Sequence, residues 1–358
     1  MATIGSHSLD LYSRKLAEGL DVPVFRTHIY QRIAECRNIS WLSARAVKSI
    51  WYDWHFVREV NRLGDFVHLP NHHFGRYANF LKVPFIITVH DLIRYLDLKG
   101  YQTLIYRPNL RDRFYFNLDY KGIKKAKRII AISQTTKNDL MRYLGVAEEK
   151  ISVVYNGIDH KLFQPVAHRL YNHPYILFVG TEHLRKNFAG LLKAFSRLKR
   201  EPRFKDLKLV KVGRAGGRET DFRRQTMKVI NALDLAGDVV FADFVAENDL
   251  PAYYSGARVF ILPSLYEGFG LPPLEAMACG CPVITSNTSS LPEVAGDAGI
   301  MVNPHDTDSL TQAIEQVLTD DKLRSSMIKK GLEQSKKFSW EKTARQTQEV
   351  YNRVAHEQ

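Results

Sequence analysis

The chain has 358 residues, of which 45% are apolar and 25% charged, and its formal net charge is +13. This length allows two domains, and the composition excludes a disordered, collagenous or low-complexity protein. The longest apolar runs, such as Phe85-Ile86-Ile87, have the length of a strand and are too short to span a bilayer. The first residues, MATIGSHS, lack the apolar core of a signal peptide, and the three cysteines have no metal-site spacing. We therefore expect a cytoplasmic protein with reduced thiols.

Strands and helices alternate through the first half of the chain. A helical pattern follows Gly5 directly, and Ser133 has the position of an N-cap. Further helices are predicted at Val47–Leu63 and Gln134–Leu144, and strands at Val22–His28, Asp65–Leu69, Phe85–Val89, Arg128–Ile132 and Ile151–Tyr155. Such alternation predicts a parallel sheet, in which ligands bind beyond the carboxyl ends of the strands.

A second alternating set follows a linker at Pro165–Pro174. Its predicted strands are Tyr175–Val179, Leu207–Val212, Val239–Phe241, Val259–Leu262, Val283–Thr285 and Gly299–Val302, and a last helix covers Trp340–Val354. We predict an α/β protein with two doubly wound, Rossmann-like domains, the first over residues 1–166 and the second over residues 167–339.

The stretch Ser264–Pro282, SLYEGFGLPPLEAMACGCP, carries the most chemistry. Two carboxylates, Glu267 and Glu275, stand eight residues apart, and a loop with two glycines precedes the prolines that begin a helix. A helix N-terminus of this kind suits a phosphate, and the two carboxylates suit hydroxyl groups, so the block fits a nucleotide sugar. The alternative is a helix cap with two solvated glutamates.

The pattern E-G-F-G-L-P-x-x-E-A-M-A-C-G-x-P-V-I resembles that of the retaining glycosyltransferases of family four, which have the GT-B fold. The resemblance continues through Ser289–Glu293 and Gly296–Gly299 and covers nearly the whole chain. It implies two Rossmann-like domains that face a central cleft. The first would hold the acceptor and be joined by the C-terminal segment 340–358, and the second would bind the nucleotide sugar.

The resemblance also implies roles for residues of the block and of the segment after Val179. Glu275 would hold the ribose hydroxyls and Glu267 the donor sugar, and Lys186 would act on the leaving diphosphate. The other donor-binding residues implied are the amides of Phe269, Gly270 and Leu271, together with Thr181 and Arg185. Thr181 stands where the family often has arginine, and Arg185 is the candidate to replace it. The alternative for Arg185 and Lys186 is an exposed basic pair.

Three further positions are implied by the resemblance. Gly5 matches the end of a donor-binding glycine loop, and His90 matches a histidine that faces the donor sugar, with a structural histidine as the alternative. Phe244 and Val245 match the segment that brackets the nucleobase, although the family usually has glycine where this chain has Asp243.

No cofactor or metal is expected. Asp306-Thr307-Asp308 has the form of a metal-binding motif, but it precedes a helical run, and Asp308 is predicted to be the N-cap of that helix. Charge on the leaving group would then be stabilised by Lys186, nearby arginine and helix N–H groups.

The resemblance therefore predicts a metal-independent, retaining hexosyltransferase, similar to polysaccharide mannosyltransferases. Transfer would occur on the front face of the sugar without a covalent intermediate. The donor would be GDP-mannose and the acceptor a glycan or lipid-linked glycan in cell-envelope polysaccharide synthesis. A soluble sugar or sugar-phosphate acceptor is the alternative. A nucleic-acid-binding protein is a more remote one, because the chain has no nucleic-acid module and we expect no nucleic-acid partner.

The segment from Arg94 to Arg128 concentrates the positive charge, with ten Lys or Arg against three Asp. Aromatic residues lie among these charges, including Tyr101, Phe114 and Tyr120. Such a mixture suits an anionic membrane surface at the inner face of the cell membrane. It would also suit nucleic acid, and a solvated basic face over core aromatics is the third interpretation.

Overall fold

The computed structural model describes residues 7–20, 54–62, 66–101, 105, 108–167, 170–216 and 219–357. These residues form two compact units. The first contains the described residues of 1–98, 108–156 and 340–358, and the second those of 157–339 with 99–107. Gly5, the predicted strand Val22–His28 and residues 47–53 and 63 of the predicted helix Val47–Leu63 lie outside the described residues.

A parallel sheet forms the centre of the first unit, and its four described strands are in the order β1-β2-β3-β4. The strands are β1 (Val67–Leu69), β2 (Phe85–Val89), β3 (Arg128–Ala131) and β4 (Ile151–Val153). Every residue of β2 is buried, as expected for a central strand covered on both faces.

Six described helices accompany this sheet in the first part of the chain: α1 (His7–Gly19), α2 (54–60), α3 (Gly75–Ala78), α4 (Ile93–Lys99), α5 (Leu110–Ile123) and α6 (Gln134–Leu144). The Ser133 hydroxyl accepts the Thr136 N–H at 3.0 Å, so α6 begins where its predicted cap stands. Gly145, in the left-handed region at φ 63°, ends it.

The second unit has a six-stranded parallel sheet in the order β10-β9-β8-β5-β6-β7. Its strands are β5 (Tyr175–Val179), β6 (Lys208–Val212), β7 (Val239–Asp243), β8 (Val259–Leu262), β9 (Val283–Ser286) and β10 (Ile300–Val302). From β5 to β7 the successive strands add to one side of the sheet, and from β8 to β10 they add to the other side. The order therefore reverses between β5 and β8, and in open parallel sheets that switch point is where ligands bind.

The helices of the second unit are α7 (Phe188–Leu198), α8 (Glu219–Ala232), α9 (Leu250–Gly256), α10 (Leu271–Ala278), α11 (Leu291–Ala295), α12 (Thr307–Thr319) and α13 (Asp321–Ser335). No helix among the described residues is both long and apolar enough to cross a membrane.

The boundary between the units differs from the predicted one. The chain passes into the second unit after Asn156, ten residues before the predicted end at 166. The reason is that Ile158 forms a β-bridge with Ser339, and the His160 imidazole contacts the Phe338 carbonyl at 2.9 Å.

The last helix, α14 (Trp340–His356), belongs to the first unit, where it packs against α1. Tyr12 of α1 shares an apolar cluster with Trp340, Tyr351 and Val354 of α14. The helix is amphipathic, and its buried face supplies the apolar surface that α1 covers.

Candidate functional site

Two loops leave the sheet at the switch point of the second unit. One follows β5 and carries Gly180 to Lys186, and the other follows β8 and carries Ser264 to Gly270. Because β5 and β8 are hydrogen-bonded neighbours, both loops start at the same edge of the sheet. The Leu265 N–H donates to the Arg185 carbonyl at 2.7 Å, which joins them directly.

A buried carboxylate with two cations lies between these loops. Glu267 accepts a hydrogen bond from Arg185 Nη1 at 2.7 Å and forms an ion pair with Lys186 Nζ at 2.6 Å. Their side chains are 8%, 15% and 9% exposed, in that order. The alternative interpretation of Arg185 and Lys186 as an exposed basic pair is therefore wrong, because both side chains are largely buried against Glu267. Arg185 and Lys186 are held against one anion and carry together one positive charge in excess of it.

The electrostatics fix the charge state of this group. Burial would raise the pKa of Glu267, but the charges of Arg185 and Lys186 lower it to about 2. Burial lowers the pKa of Lys186, while Glu267 opposes that effect. Glu267 is therefore an anion at neutral pH, and the group has a net positive charge suited to an anionic ligand.

Hydroxyl groups hold the loop around Glu267. Ser264 Oγ donates to the Glu267 carboxylate at 2.7 Å, and the Glu267 N–H donates to Ser289 Oγ at 2.9 Å. Ser290 Oγ contacts the carbonyls of Glu267 and Phe269 at 2.9 and 2.6 Å. These contacts give the loop one conformation and leave little rotamer freedom to its carboxylate.

The helix α10 begins at this loop. Its N-cap residue Gly270 has φ 117°, where a side chain would be strained, and an added Cβ would lie 2.9 Å from Leu291. Leu271 and the two prolines after it form the first turn. Phe269 is buried. Unpaired N–H groups at such a helix start attract anions.

Glu275 lies one turn into α10 and is half-buried. The buried Tyr254 hydroxyl donates to its Oε2 at 2.7 Å. Burial raises the pKa of Glu275 to about 7; the Tyr254 bond opposes this, and Glu247 adds to it. The two carboxylates of the block thus have opposite charge preferences, and neither is an ordinary solvated glutamate.

The remaining predicted donor-binding residues lie at the ends of β5 and β7. The Thr181 hydroxyl is buried and has no hydrogen-bond partner among the described residues. Phe244 is exposed, with Arg214 over its ring at 5.5 Å, and Val245 is half-buried. Asp243 adopts φ 45°, a conformation that glycine accepts most easily. At Asp243, the position where the resemblance predicts glycine, the backbone therefore has the conformation that a glycine would adopt.

His90 lies in the first unit, directly after β2. It is buried, and its Nε2 donates to the Pro70 carbonyl at 2.9 Å, because a carbonyl can only accept. The Tyr12 ring contacts it edge-on at 4.8 Å. Burial lowers the pKa of His90 to about 4, so the ring is neutral. A catalytic role for His90 remains a prediction.

The motif Asp306-Thr307-Asp308 has structural contacts that correct one prediction. Asp306, not Asp308, caps α12, with its carboxylate accepting the Ser309 N–H at 3.0 Å. Asp308 lies in the first turn and pairs with Arg197. The cap moves because Asp306 has the extended backbone of an N-cap residue. No group of three or more metal-ligating side chains occurs in the described part of the chain.

Several polar residues of this region were missed from the sequence. Tyr254 and Ser264 contact the two glutamates, and a buried Lys211–Glu182 ion pair at 3.0 Å joins β6 to the loop after β5. Lys211 stands inside a strand, KLVKV, where a lysine suggests an exposed face. Of these residues, only Ser264 could be noticed from the local sequence, because it follows closely after the apolar run that forms β8.

Comparison with known proteins identifies the class. Residues 163–334 match the family model described as Glycosyl transferases group 1, and residues 6–162 match that described as Glycosyltransferase Family 4. The two matches together cover most of the chain. The chain therefore belongs to the glycosyltransferases of family-four type with the GT-B fold, which confirms the family and the fold class predicted from the sequence.

Individual relatives show which glycosyltransferases this chain is most usefully compared with. O-antigen chain mannosyltransferase B of Escherichia coli is 35% identical over 255 residues, which are 69% of this chain and 66% of the relative. Serotype-specific mannosyltransferase WbdA of Escherichia coli is 32% identical over 282 residues, 75% of this chain but 33% of the relative. The chain thus spans only part of each. Sucrose-phosphate synthase from Thermosynechococcus elongatus has a similar structure, with TM-score 0.70, 26% identity and coverage of 82% of this chain and 74% of its own.

Proposed function

We propose that the protein is a retaining glycosyltransferase that moves a hexose from a nucleoside diphosphate sugar to a glycan acceptor in cell-envelope polysaccharide synthesis. The observation that carries this proposal is the Arg185–Glu267–Lys186 group at the switch point of the parallel sheet, beside the start of α10. The group combines buried donors for a diphosphate with a permanent anion for sugar hydroxyls. The family and its mannosyltransferase relatives support the same chemistry.

Each residue has a defined task in this proposal. Lys186 and Arg185 stabilise the charge that develops on the leaving diphosphate, and the N–H groups around Gly270 and Leu271 bind its oxygens. Glu267 orients the donor sugar and keeps both cations in place. Glu275 accepts hydrogen bonds from the ribose hydroxyls. The leaving phosphate takes the acceptor proton, and a role for His90 in transfer follows from the resemblance alone.

The donor is GDP-mannose in this proposal, since both relatives described above are named mannosyltransferases. A panel of nucleotide sugars tests it by thermal shift and by hydrolysis. A ligand that binds only the folded state raises the melting temperature in proportion to its affinity. We expect GDP-mannose to give the largest shift and to be consumed. A larger response to a UDP-sugar would replace the donor but keep the reaction.

Transfer is expected to persist in EDTA. Lys186 pairs with the buried Glu267, which precedes a helix whose first N–H groups can bind a phosphate, so the charge of the leaving group is stabilised without a metal ion. The measurement is the initial rate with and without chelator at equal ionic strength. Loss of turnover in EDTA that manganese or magnesium restores would contradict metal independence.

A lipid-linked acceptor would bring the protein to an anionic membrane surface, and the first unit has a candidate for that contact. Helix α5 exposes Leu110 and Phe114, which lie one turn apart and are 86% and 61% exposed. Lys121, Lys124 and Lys125 are exposed near its other end. Exposed apolar side chains with nearby lysines suit a membrane interface.

Changing Lys121, Lys124 and Lys125 to Glu is expected to abolish sedimentation with anionic vesicles at low salt. Each lysine near such a surface contributes about 1 kcal/mol, and salt screens it over about 8 Å at physiological ionic strength. Lys127 is left unchanged, because its ammonium donates to the Val354 carbonyl at 3.3 Å. Changing the exposed lysines Lys228, Lys322 and Lys329 of the second unit to Glu makes the same change in net charge.

The membrane contact requires that only the first variant lose vesicle binding and that both keep nucleotide binding. Equal loss in both variants would indicate a general charge effect. A wild-type protein that stays in the supernatant would favour a soluble sugar or sugar-phosphate acceptor, and a gel shift with DNA or RNA would favour the more remote alternative.

A further inference from the structure

Four alternating charges form a chain across three strand ends of the second unit. Lys211 Nζ lies 3.0 Å from Glu182 Oε1, and Arg223 Nε donates to the same oxygen at 2.9 Å. Arg223 Nη2 then donates to Asp243 Oδ1 at 2.5 Å. Lys211 is in β6, Glu182 follows β5, Arg223 is on α8 and Asp243 ends β7. This ion-pair chain therefore joins residues that the sequence separates widely.

Stability alone does not account for this arrangement. The side chains of Lys211 and Glu182 are fully buried, and burying a charged pair costs desolvation that apolar residues of the same size avoid. What such a pair supplies is a fixed geometry. Arg223 makes that geometry directional, since its planar guanidinium reaches Glu182 and Asp243 in one orientation and stacks on the Phe241 ring at 4.2 Å.

The part fixed in this way is the end of β7. The pairing of β6 with β7 shifts register at Lys211 and Val212, and Asp243 then turns into the left-handed region at φ 45°. Its carbonyl accepts the Gly213 N–H at 2.6 Å. A non-glycine residue in this conformation needs its surroundings to hold it. The only ion pair described for its carboxylate is with Arg223.

We propose that Arg223 is a positioning residue for nucleobase binding: it fixes the turn at Asp243 and thereby the orientation of Phe244 and Val245. This proposal rests on the proposed nucleotide-sugar function. Phe244 follows the turn directly and presents an exposed ring, backed by the Arg214 guanidinium at 5.5 Å, on which a planar base can stack. In this proposal Arg223 acts through the turn and does not itself contact the base.

The alternation of charges in the ion-pair chain allows a test by paired substitutions. Arg223→Met leaves Asp243 without its cation in a conformation that an L-residue disfavours. Asp243→Gly removes both problems, because glycine takes positive φ without strain and carries no charge. In the double variant, Lys211 and Glu182 still neutralise each other. The glycine substitution should therefore rescue the loss of Arg223.

The experiment is calorimetric titration of the purified full chain with GDP, with UDP and with inorganic pyrophosphate, which has no base. We expect Arg223→Met to weaken the better-bound nucleotide at least tenfold without changing pyrophosphate affinity. Asp243→Gly and the double variant should remain within about threefold of wild type. Arg224→Met, at the exposed neighbouring position on α8, is the matched control and should behave as wild type. Arg223→Lys should lie between, since an ammonium cannot bridge both carboxylates in one plane.

Hydrogen exchange of the amides of residues 243–246 gives a second readout, with faster exchange expected in Arg223→Met and not in the double variant. Unchanged nucleotide affinity in Arg223→Met, equal weakening of pyrophosphate, or no rescue by Asp243→Gly would each overturn the inference. Wild-type protein that binds pyrophosphate but neither nucleotide would instead overturn the proposed donor class, and the two failures are thus distinguishable.

Discussion

The Glu267→Gln variant is expected to transfer sugar about a hundredfold more slowly than wild type, with no loss of affinity for the free nucleoside diphosphate. Glutamine keeps the shape of the side chain but removes the anion that Arg185 and Lys186 share. A hundredfold is about 2.7 kcal/mol, within the roughly 1.5–3 kcal/mol of one hydrogen bond to a charged group. The site gains positive charge, so an anionic diphosphate is attracted at least as strongly.

Single-turnover rates and calorimetry separate these two effects. Removing one partner of a buried ion pair can cost about 3–5 kcal/mol of folding free energy, so the melting temperature is measured in parallel. Ser264→Ala is the milder variant, since it removes one hydrogen bond to Glu267 and keeps its charge. Glu333→Gln, at an exposed ion pair on α13, is the matched control. A wild-type rate in a folded Glu267→Gln protein would show that the carboxylate serves only the fold.

Local sequence patterns predicted the elements that carry this site. The bounds of β2, β5 and β8 agree with the apolar runs between their turn residues, because strands buried on both faces are continuous apolar segments. The start of α10 follows from its two prolines and from Gly270. The positions of Glu267 and Glu275 relative to a helix N-terminus were therefore predictable.

The partners of the two glutamates were not predictable in the same way. Arg185 is 82 residues from Glu267, and Tyr254 is 21 residues from Glu275. The first contact depends on the strand order, which brings β5 beside β8, and the second depends on the packing of α9 against α10; no local period encodes either of them. Likewise, the choice between Asp306 and Asp308 as a cap depends on one backbone angle at the helix start.

The affinity of the wild-type protein for a nucleoside diphosphate is expected to rise as the pH increases from 6 to 8. Burial raises the pKa of Glu275 to about 7, while Tyr254 opposes and Glu247 adds to the shift, and Lys186 favours the ionised form. Ribose hydroxyls donate hydrogen bonds and therefore bind the ionised carboxylate better. Binding must then displace a proton below the pKa, at a cost of about 1.36 kcal/mol per pH unit.

The same shift has the opposite sign for folding. In the unfolded chain Glu275 ionises at its ordinary pKa of about 4.5, whereas in the folded protein it stays protonated up to a pKa of about 7. Between these values the folded state binds more protons, so the contribution of Glu275 to stability is largest at low pH and is lost as the pH rises through 7. Nucleotide affinity should rise over the range in which this contribution falls.

Glu275→Gln separates these effects, because its side chain is neutral at every pH. We expect its nucleotide affinity to be roughly ten- to hundredfold below that of wild type at pH 8, from the loss of a charged hydrogen bond of about 1.5–3 kcal/mol. Its affinity should change with pH only through the ligand phosphate, which titrates near pH 6 in both proteins. Tyr254→Phe removes a bond that favours the ionised form, so it should move the wild-type pH dependence to higher pH. Calorimetry in buffers of different ionisation enthalpy measures the proton released on binding. Identical pH profiles for wild type and Glu275→Gln would exclude Glu275 as the group that binds the ribose.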